Sequence, residues 1–243
     1  MKVAIVVPAY NEEKRIGRML DHYVEYFTGL HIAKIVDFEF IVVLNGCVDN
    51  THGVVEAVQK RCDKVRMITS ESAGKGHAIA TGFADALLRD NDLIGFVDAD
   101  MATRPEYFYA LIREIYDCDG VIASRHMPES VVTPARPWIK RWGKRIFYDG
   151  LAYLLFGLAY YDMQCGAKLF KRHVITTVVP HLTVKQWAFD VELLYLCKKN
   201  GFLIKEIPTV WHDQADSKLT NIFCAGFPML ASLFRVKFRH LFS

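Results

Sequence analysis

The chain has 243 residues, 52% hydrophobic and 23% charged, enough to bury a full core as one domain. A net charge of +3 does not supply the broad basic face of a nucleic-acid binder, and no Gly/Ser tract, internal repeat or low-complexity segment divides the chain. Six cysteines show no CxxC pair or zinc spacing and read as reduced core thiols, Cys165 included.

Val3 to Val7 is a short β-branched run stopped by Pro8, as expected of a strand buried on both faces of a parallel sheet. Asn11 reads as an N-cap, with Glu12 and Glu13 in the first turn and Ile16, Met19, Leu20, Tyr23 and Phe27 at helical spacing. The pattern repeats. Glu39 to Leu44 predicts a second strand, with a helix around Val54, Val55 and Val58; Val65 to Thr69 predicts a third, followed by Ile79, Phe83, Ala86 and Leu87. Leu93 to Asp98 predicts the fourth, with Phe108, Leu111, Ile112 and Ile115 after it, and Gly120 to Ser124 the fifth. Strands alternating with helices imply βαβ units and an open, doubly wound sheet, whose ligands bind beyond the C-terminal strand ends. The segments at 8–12, 45–49 and 98–100 all fall at such ends, so one crevice can collect them.

Asp98-Ala99-Asp100 places two carboxylates around one small residue at a strand end. Hard cations such as Mg²⁺ take one or two carboxylates plus substrate phosphates, so the pair suits a cation that grips a diphosphate. The same junction also reads as a helix start, because Thr103-Arg104-Pro105-Glu106 has the form of a capping box with proline in the first turn.

Met127 to Pro137, interrupted by Pro128, Pro134 and Pro137, reads as a loop. After it, Arg136, Lys140, Arg141, Lys144 and Arg145 interleave with Trp138 and Trp142, and an apolar stretch runs from Leu151 to Tyr161. Basic residues beside tryptophans, followed by apolar ones, describe a helix near 136–161 lying in the headgroup layer of an anionic leaflet; a core helix with a basic rim, or a dimer surface, is the alternative that the same pattern allows. The run from Ile222 to Phe234, holding Pro228 and followed by Arg235, Lys237, Arg239 and His240, reads as a second interfacial segment. Both are shorter than the roughly 20 residues a crossing helix needs. The chain begins directly with a strand and shows no secretory leader, so the expected location is peripheral, on the cytoplasmic face of a membrane.

Together, Val7-Pro8-Ala9-Tyr10-Asn11-Glu12, Asn45-Gly46-x-x-Asp49-x-Thr51, Gly74-Lys75-Gly76-x-Ala78 with Gly82-Phe83, and Phe96-x-Asp98-Ala99-Asp100 resemble the family 2 glycosyltransferases of the GT-A fold. Ser124-Arg125, Gln164-Cys165-Gly166-Ala167-Lys168-Leu169-Phe170, Trp187-x-Phe189-Asp190-Val191-Glu192-Leu193 and Asp216-Ser217-Lys218-Leu219 are similar to the polyprenyl-phosphate branch, especially the dolichyl-phosphate β-glucosyltransferases. The resemblance covers residues 3 to about 219 in the family's order.

It implies a GT-A (Rossmann-like) α/β fold: an open, mostly parallel twisted sheet with helices on both faces, plus amphipathic interfacial helices. Residues 1–219 would form one catalytic domain, with a nucleotide-binding half (1–100) and an acceptor half (101–219), and 220–243 a membrane-surface segment. Pro8, Ala9, Tyr10 and Glu12 would line the base and ribose pocket, Asn45 and Asp49 would sit beside the base, and Gly74 and Lys75 near the donor phosphates. Asp100 would ligate Mg²⁺ or Mn²⁺, with Asp98 bonding the ribose or sharing the metal. Arg125 and Lys218 would hold phosphate charge, with Gln164, Trp187 and Asp190 on the acceptor and sugar side.

The chain departs from the family's usual pattern at Asn45, where an aspartate is common, and at Ala102, where the mannosyl relatives carry glutamine. An amide oxygen still accepts the ring N–H of uracil but lacks the two-oxygen face that suits guanine, which leans toward a UDP-sugar. The implied activity is inverting transfer of a hexose, glucose from UDP-glucose by preference, onto a polyprenyl phosphate. A GDP-mannose-dependent mannosyltransferase, transfer to a saccharide hydroxyl with Asp190 as base, and a non-catalytic nucleotide-sugar-binding protein are the alternatives. His212, after Trp211, reads as a structural histidine, and the resemblance offers it as a further metal ligand, since some related transferases place a metal-binding histidine near the chain's end.

Overall fold

The computed structural model describes residues 1–134, 150–186, 188–212 and 232–240. The strands are β1 (Lys2–Ala9), β2 (Asp37–Asn45), β3 (Val65–Ser70), β4 (Leu93–Val97), β5 (Gly120–Ser124), β6 (Val131–Thr133), β7 (Ala167–Lys171), β8 (Ile204–Pro208) and β9 (Val210–His212). The helices are α1 (Ile16–Ile32), α2 (Thr51–Gln59), α3 (Lys75–Leu87), α4 (Pro105–Arg113), α5 (Gly150–Phe156), α6 (Arg172–Val178), α7 (Phe189–Lys199) and α8 (residues 232–240).

Among the described residues the main sheet has seven strands in the order β3-β2-β1-β4-β7-β5-β8, and β6 pairs with β9 in a separate two-stranded ribbon. The β1–β2, β2–β3, β1–β4 and β5–β8 pairings are parallel, whereas β7 runs antiparallel to both β4 and β5. The strand order reverses direction at β1/β4, the kind of switch point where open α/β sheets form a crevice.

Alternation along β1 sends Val3, Ile5 and Val7 into one core and Ala4 and Val6 into the other. On the first face, α1 buries the five residues predicted from its spacing, and Tyr23 and Phe27 pack with Phe38, Phe40 and Phe108. On the second, Ile79 and Phe83 of α3 pack with Phe96 and Phe170 and with Phe189 and Leu193 of α7. Burying each large apolar side chain contributes roughly 1.5–3 kcal/mol, so the two cores fix the strand ends that carry the site.

Two helix starts differ from the sequence reading. α1 begins at Ile16 rather than after Asn11, because Asn11 takes a positive φ of 53° and its Oδ1 accepts the Val48 N–H at 2.8 Å. Its side chain is used across the crevice and does not cap the helix. α4 has Arg104, not Thr103, at its N-cap and no side-chain capping bond, so the capping box does not form, although Pro105 does open the helix.

No helix among the described residues is long and apolar enough to cross a membrane. The basic, tryptophan-bearing stretch from Arg136 to Arg145 lies outside the described residues, as do Trp187, Asp213, Lys218 and residues 219–231. Of the interfacial segments, α5 exposes Tyr153 and Leu154, and α8 exposes Phe234 and Phe238 while burying Leu233, Val236 and His240.

Candidate active site

The ends of β1, β2 and β4 meet as the strand pattern requires. Asp49, Thr51, Asn11 and Glu13 bind the first two crossovers together: Asp49 Oδ1 accepts from the Thr51 N–H and hydroxyl, Thr51 Oγ1 accepts the Glu12 N–H at 2.7 Å, and Glu13 Oε2 accepts the Asn50 N–H at 3.0 Å. Asp49 is therefore built into the wall of the crevice. Pro8 is half-buried, Ala9 is buried, and Tyr10 is exposed at the rim. Glu12 holds Arg15 through two bonds at 2.7 and 2.8 Å. Asn45, at the end of β2, is buried, and its Oδ1 has no hydrogen-bond partner among the described residues. An orphaned buried acceptor is costly, so this atom is suited to a ligand N–H.

Asp98 and Asp100 follow β4 directly. The Asp98 N–H donates to the Gly166 carbonyl at 3.0 Å, extending the β4–β7 ladder by one step, and a Cβ at Gly166 would collide with the Asp98 carboxylate. Lys75, at the start of α3, reaches Asp98 Oδ1 at 2.5 Å. Gly74 carries a φ of 138°, which places Lys75 at the helix start facing the β4 end. Burial pulls the Lys75 ammonium down, but Asp98, Asp190 and Asp100 outweigh it and its pKa is raised. Asp100 Oδ1 accepts the Ala102 N–H at 2.9 Å; burial first, and the neighbouring Asp98 charge second, push its carboxyl up to about 6.

Two buried ion pairs back this centre. Lys168, fully buried on β7, donates to Asp190 Oδ1 at 2.6 Å and to the Cys165 carbonyl at 2.7 Å, and lies over the Phe96 ring. Arg125 forms a fork with Asp162 at 2.5 and 2.8 Å and stacks on Trp211, 4.9 Å from its centroid. Burial would raise the Asp162 carboxyl, but Arg125 overcomes it and holds it well below the usual carboxylate range. Asp162 and Tyr161 in turn give their N–H groups to Glu206. Arg125 is thus anchored by Asp162, while the Asp98 charge still acts on its guanidinium. Gln164 is half-buried beside this pair, its N–H on Asp162 Oδ1 at 3.2 Å.

Sequence reasoning assigned no role to Lys168, Asp162, Glu206 or Arg15. The signal for Asp162 and Lys168 was a charged residue set among apolar neighbours; for Arg15 it was the spacing from Glu12. Arg15 also acts electrostatically on Asp100, so the Glu12–Arg15 pair flanks the acidic centre.

The donor set at Asp98 and Asp100 is hard oxygen, and two half-buried carboxylates this near each other, with the Asp100 carboxyl pushed up by burial and by the Asp98 charge, favour a cation at the pair. Among the described residues no group of three His, Cys, Asp or Glu side chains forms a metal cage, so the remaining ligands would be substrate oxygens and water. His212 lies beside this loop through its backbone, its N–H donating to the Ala102 carbonyl at 2.9 Å.

The family model described as Glycosyl transferase family 2 matches residues 4–178. The chain belongs to this family. A dolichyl-phosphate β-glucosyltransferase of Drosophila melanogaster is 33% identical over 99% of this chain and 76% of its own length. Proteins of the same name from Homo sapiens (32%, 99% and 76%) and Dictyostelium discoideum (30%, 98% and 75%) match equally broadly. The family 2 chain therefore falls in the dolichyl-phosphate β-glucosyltransferase branch, and it is a glycosyltransferase.

Its fold is GT-A. Glucosyl-3-phosphoglycerate synthase from Mycobacterium tuberculosis, solved with Mn²⁺, UDP-glucose and phosphoglyceric acid, superposes with a TM-score of 0.72 at 17% identity, covering 97% of this chain and 79% of that one. Mannosyl-3-phosphoglycerate synthase from Rubrobacter xylanophilus does so with a TM-score of 0.70 at 17% identity, over 99% and 74%.

Proposed function

We propose that this glycosyltransferase moves glucose from UDP-glucose onto a polyprenyl (dolichyl-type) phosphate with inversion at the anomeric carbon, working as a peripheral protein at the cytoplasmic face of a membrane. The observation that carries the reading is the half-buried pair Asp98 and Asp100 at the end of β4, with Lys75 seated on Asp98. The relatives' names supply the sugar and acceptor class.

The uridine ring would enter between β1 and β2, where the unpartnered Asn45 Oδ1 can accept its N–H. Pro8, Ala9, Tyr10 and Glu12 would line the base and ribose, with Asp49 holding the wall. Gly74 and Lys75 would meet the diphosphate. Asp98 and Asp100 would hold Mg²⁺ or Mn²⁺, which when bound neutralises charge developing on the leaving diphosphate.

A phosphate monoester, with a second pKa of about 6, is largely ionised at neutral pH and needs no general base. Its oxygen attacks the anomeric carbon as the bond to the UDP oxygen breaks, so UDP leaves with the bonding pair and no proton is exchanged. Arg125 and Lys218 would hold the acceptor phosphate, with Gln164 and Trp187 on the sugar side. The buried bond from Asp190 to Lys168 supports a role in orienting charge, since a base must be free to take a proton. Exposed Tyr153, Leu154, Phe234 and Phe238, with Arg235, Lys237 and Arg239 on α8, support contact with an anionic lipid surface.

The test is direct. Purified protein with Mn²⁺ or Mg²⁺, UDP-glucose and dolichyl or undecaprenyl phosphate should yield a lipid-linked glucose, and Asp100→Asn should abolish it. Product formed only on saccharide hydroxyls, or only from GDP-mannose, would overturn the reading.

A further inference from the structure

Glu192 is fully buried on α7, and among the described residues the hydrogen-bond partners of its carboxylate are Thr183, Val184 and His240, not residues of the acidic centre. Oε2 accepts the backbone N–H groups of Thr183 and Val184 at 2.9 and 2.8 Å, and Oε1 accepts the Thr183 hydroxyl at 2.5 Å. His240, at the end of α8, completes the set with Nε2 at 3.0 Å from Oε1. One carboxylate thus joins two segments that are distant in sequence.

Each segment has a consequence. On one side, the chain that Glu192 fixes packs against the Lys75 turn: the Lys185 carbonyl accepts the His77 N–H at 3.2 Å, and a Cβ at Gly76 would meet the Val184 carbonyl at 2.5 Å and Phe189 Cβ at 2.6 Å. A Cβ at Gly74 would likewise collide with the Lys185 carbonyl. The turn that aims Lys75 at Asp98 therefore rests on backbone that Glu192 holds. On the other side, α8 is seated by buried Leu233 and Val236, by the Lys199 ammonium on the His240 carbonyl, and by His240 itself, while Phe234 and Phe238 face outward.

We propose that Glu192 is a positioning residue that ties the seating of the C-terminal helix to the placement of Lys75, through residues 183–186. The functional half of this inference rests on Lys75 meeting the donor phosphates, as proposed above. The tie itself is mechanical. A carboxylate surrounded by donors holds both segments at once, and removing it leaves buried donors unpaired on both sides.

Hydrogen exchange on the full chain tests the tie without any ligand. In Glu192→Ala the amides of Thr183, Val184 and His77 and those of residues 232–240 should all exchange about tenfold faster or more, while β2 and β3 keep wild-type rates. Glu192→Gln, which retains an acceptor for the two N–H groups, should restore most of the protection. If the alanine variant does not fold, Thr183→Val removes the hydroxyl alone and should speed His77 exchange by about threefold.

The second readout is UDP affinity with Mn²⁺, by calorimetry: about tenfold weaker in Glu192→Ala and near wild type in Glu192→Gln. Faster exchange confined to residues 232–240, or unchanged UDP affinity despite faster His77 exchange, would overturn the inference. A wild-type protein that binds no uridine nucleotide would instead overturn the proposed function, and the exchange rates would still decide the tie.

Discussion

Gly166 leaves room for the Asp98 carboxylate: a Cβ on it would meet Asp98 Oδ1 at 2.8 Å and come closer still to the other oxygen. Gly166 also accepts the Asp98 N–H at 3.0 Å, so its backbone holds the aspartate while its missing side chain admits the carboxylate. Gly166→Ala should displace that carboxylate from Lys75. The expected outcome is a loss of activity of about a hundredfold, since a misplacement of about 1 Å in a site has that effect, with far-UV circular dichroism unchanged. Activity within a few-fold of wild type would mean that Asp98 does not need its observed position.

Asp100 sets a pH dependence. Its pKa is raised to about 6 by burial and by Asp98, against about 4 for an unfolded aspartate. A raised carboxyl contributes stability below the unfolded value and loses it as pH rises through about 6, so metal-free protein should lose stability across that window. A cation relieves the same repulsion only when Asp100 is ionised. Thermal melts should therefore show little effect of Mn²⁺ at pH 5 and clear stabilisation at pH 7.5. Asp100→Asn should abolish the Mn²⁺ effect and, without metal at pH 7.5, be more stable than wild type by about 2 kcal/mol.

Lys168 and Asp190 form a pair with almost no access to water, 0% and 5% exposed. Removing one partner strands a buried charge, so Lys168→Met should cost about 3–5 kcal/mol in urea unfolding. Lys168→Met combined with Asp190→Leu should be more stable than Lys168→Met alone, because an apolar pair of similar volume avoids both desolvation costs. Activity separates the roles. Asp190→Asn should lower kcat partially if the residue orients charge, and should nearly stop turnover, with donor binding intact, if it is a base.

Much of the crevice is legible because strand ends are local features: the apolar runs Val3–Val7 and Leu93–Val97 mark where loops gather, although Pro8 does not stop β1, which continues to Ala9 with Pro8 opposite Val43 and Ala9 opposite Leu44. The periodicity of α1 likewise specifies its buried face residue for residue. What escaped is long-range. Arg125 and Asp162 are 37 residues apart and meet only because β7 inserts antiparallel between β4 and β5, a pairing that no local pattern announces. That insertion also turns Lys168, which a strand pattern would place toward solvent, into a core residue. Asn11 failed as a cap for a related reason: its side chain answers to Val48 across the crevice, not to its own helix.

Arg125 and Asp162 give the acid-stability prediction. The fork at 2.5 and 2.8 Å holds Asp162 well below the usual carboxylate range despite its burial. A depressed carboxyl contributes stability that is fully present above its unfolded pKa of about 4 and is lost as pH falls toward the folded value. At pH 7, Asp162→Asn should cost about 3–5 kcal/mol, because it leaves the buried Arg125 guanidinium uncompensated. Urea unfolding at pH 7, 4 and 2.5 should show this gap narrowing below about pH 4, as the unfolded wild-type chain takes up a proton on Asp162 that the folded chain does not. A gap that stays constant down to pH 2.5 would mean that the pair does not carry this part of the stability. Arg125→Lys, which keeps the charge but loses the fork and the stacking on Trp211, should fall between wild type and Asp162→Asn.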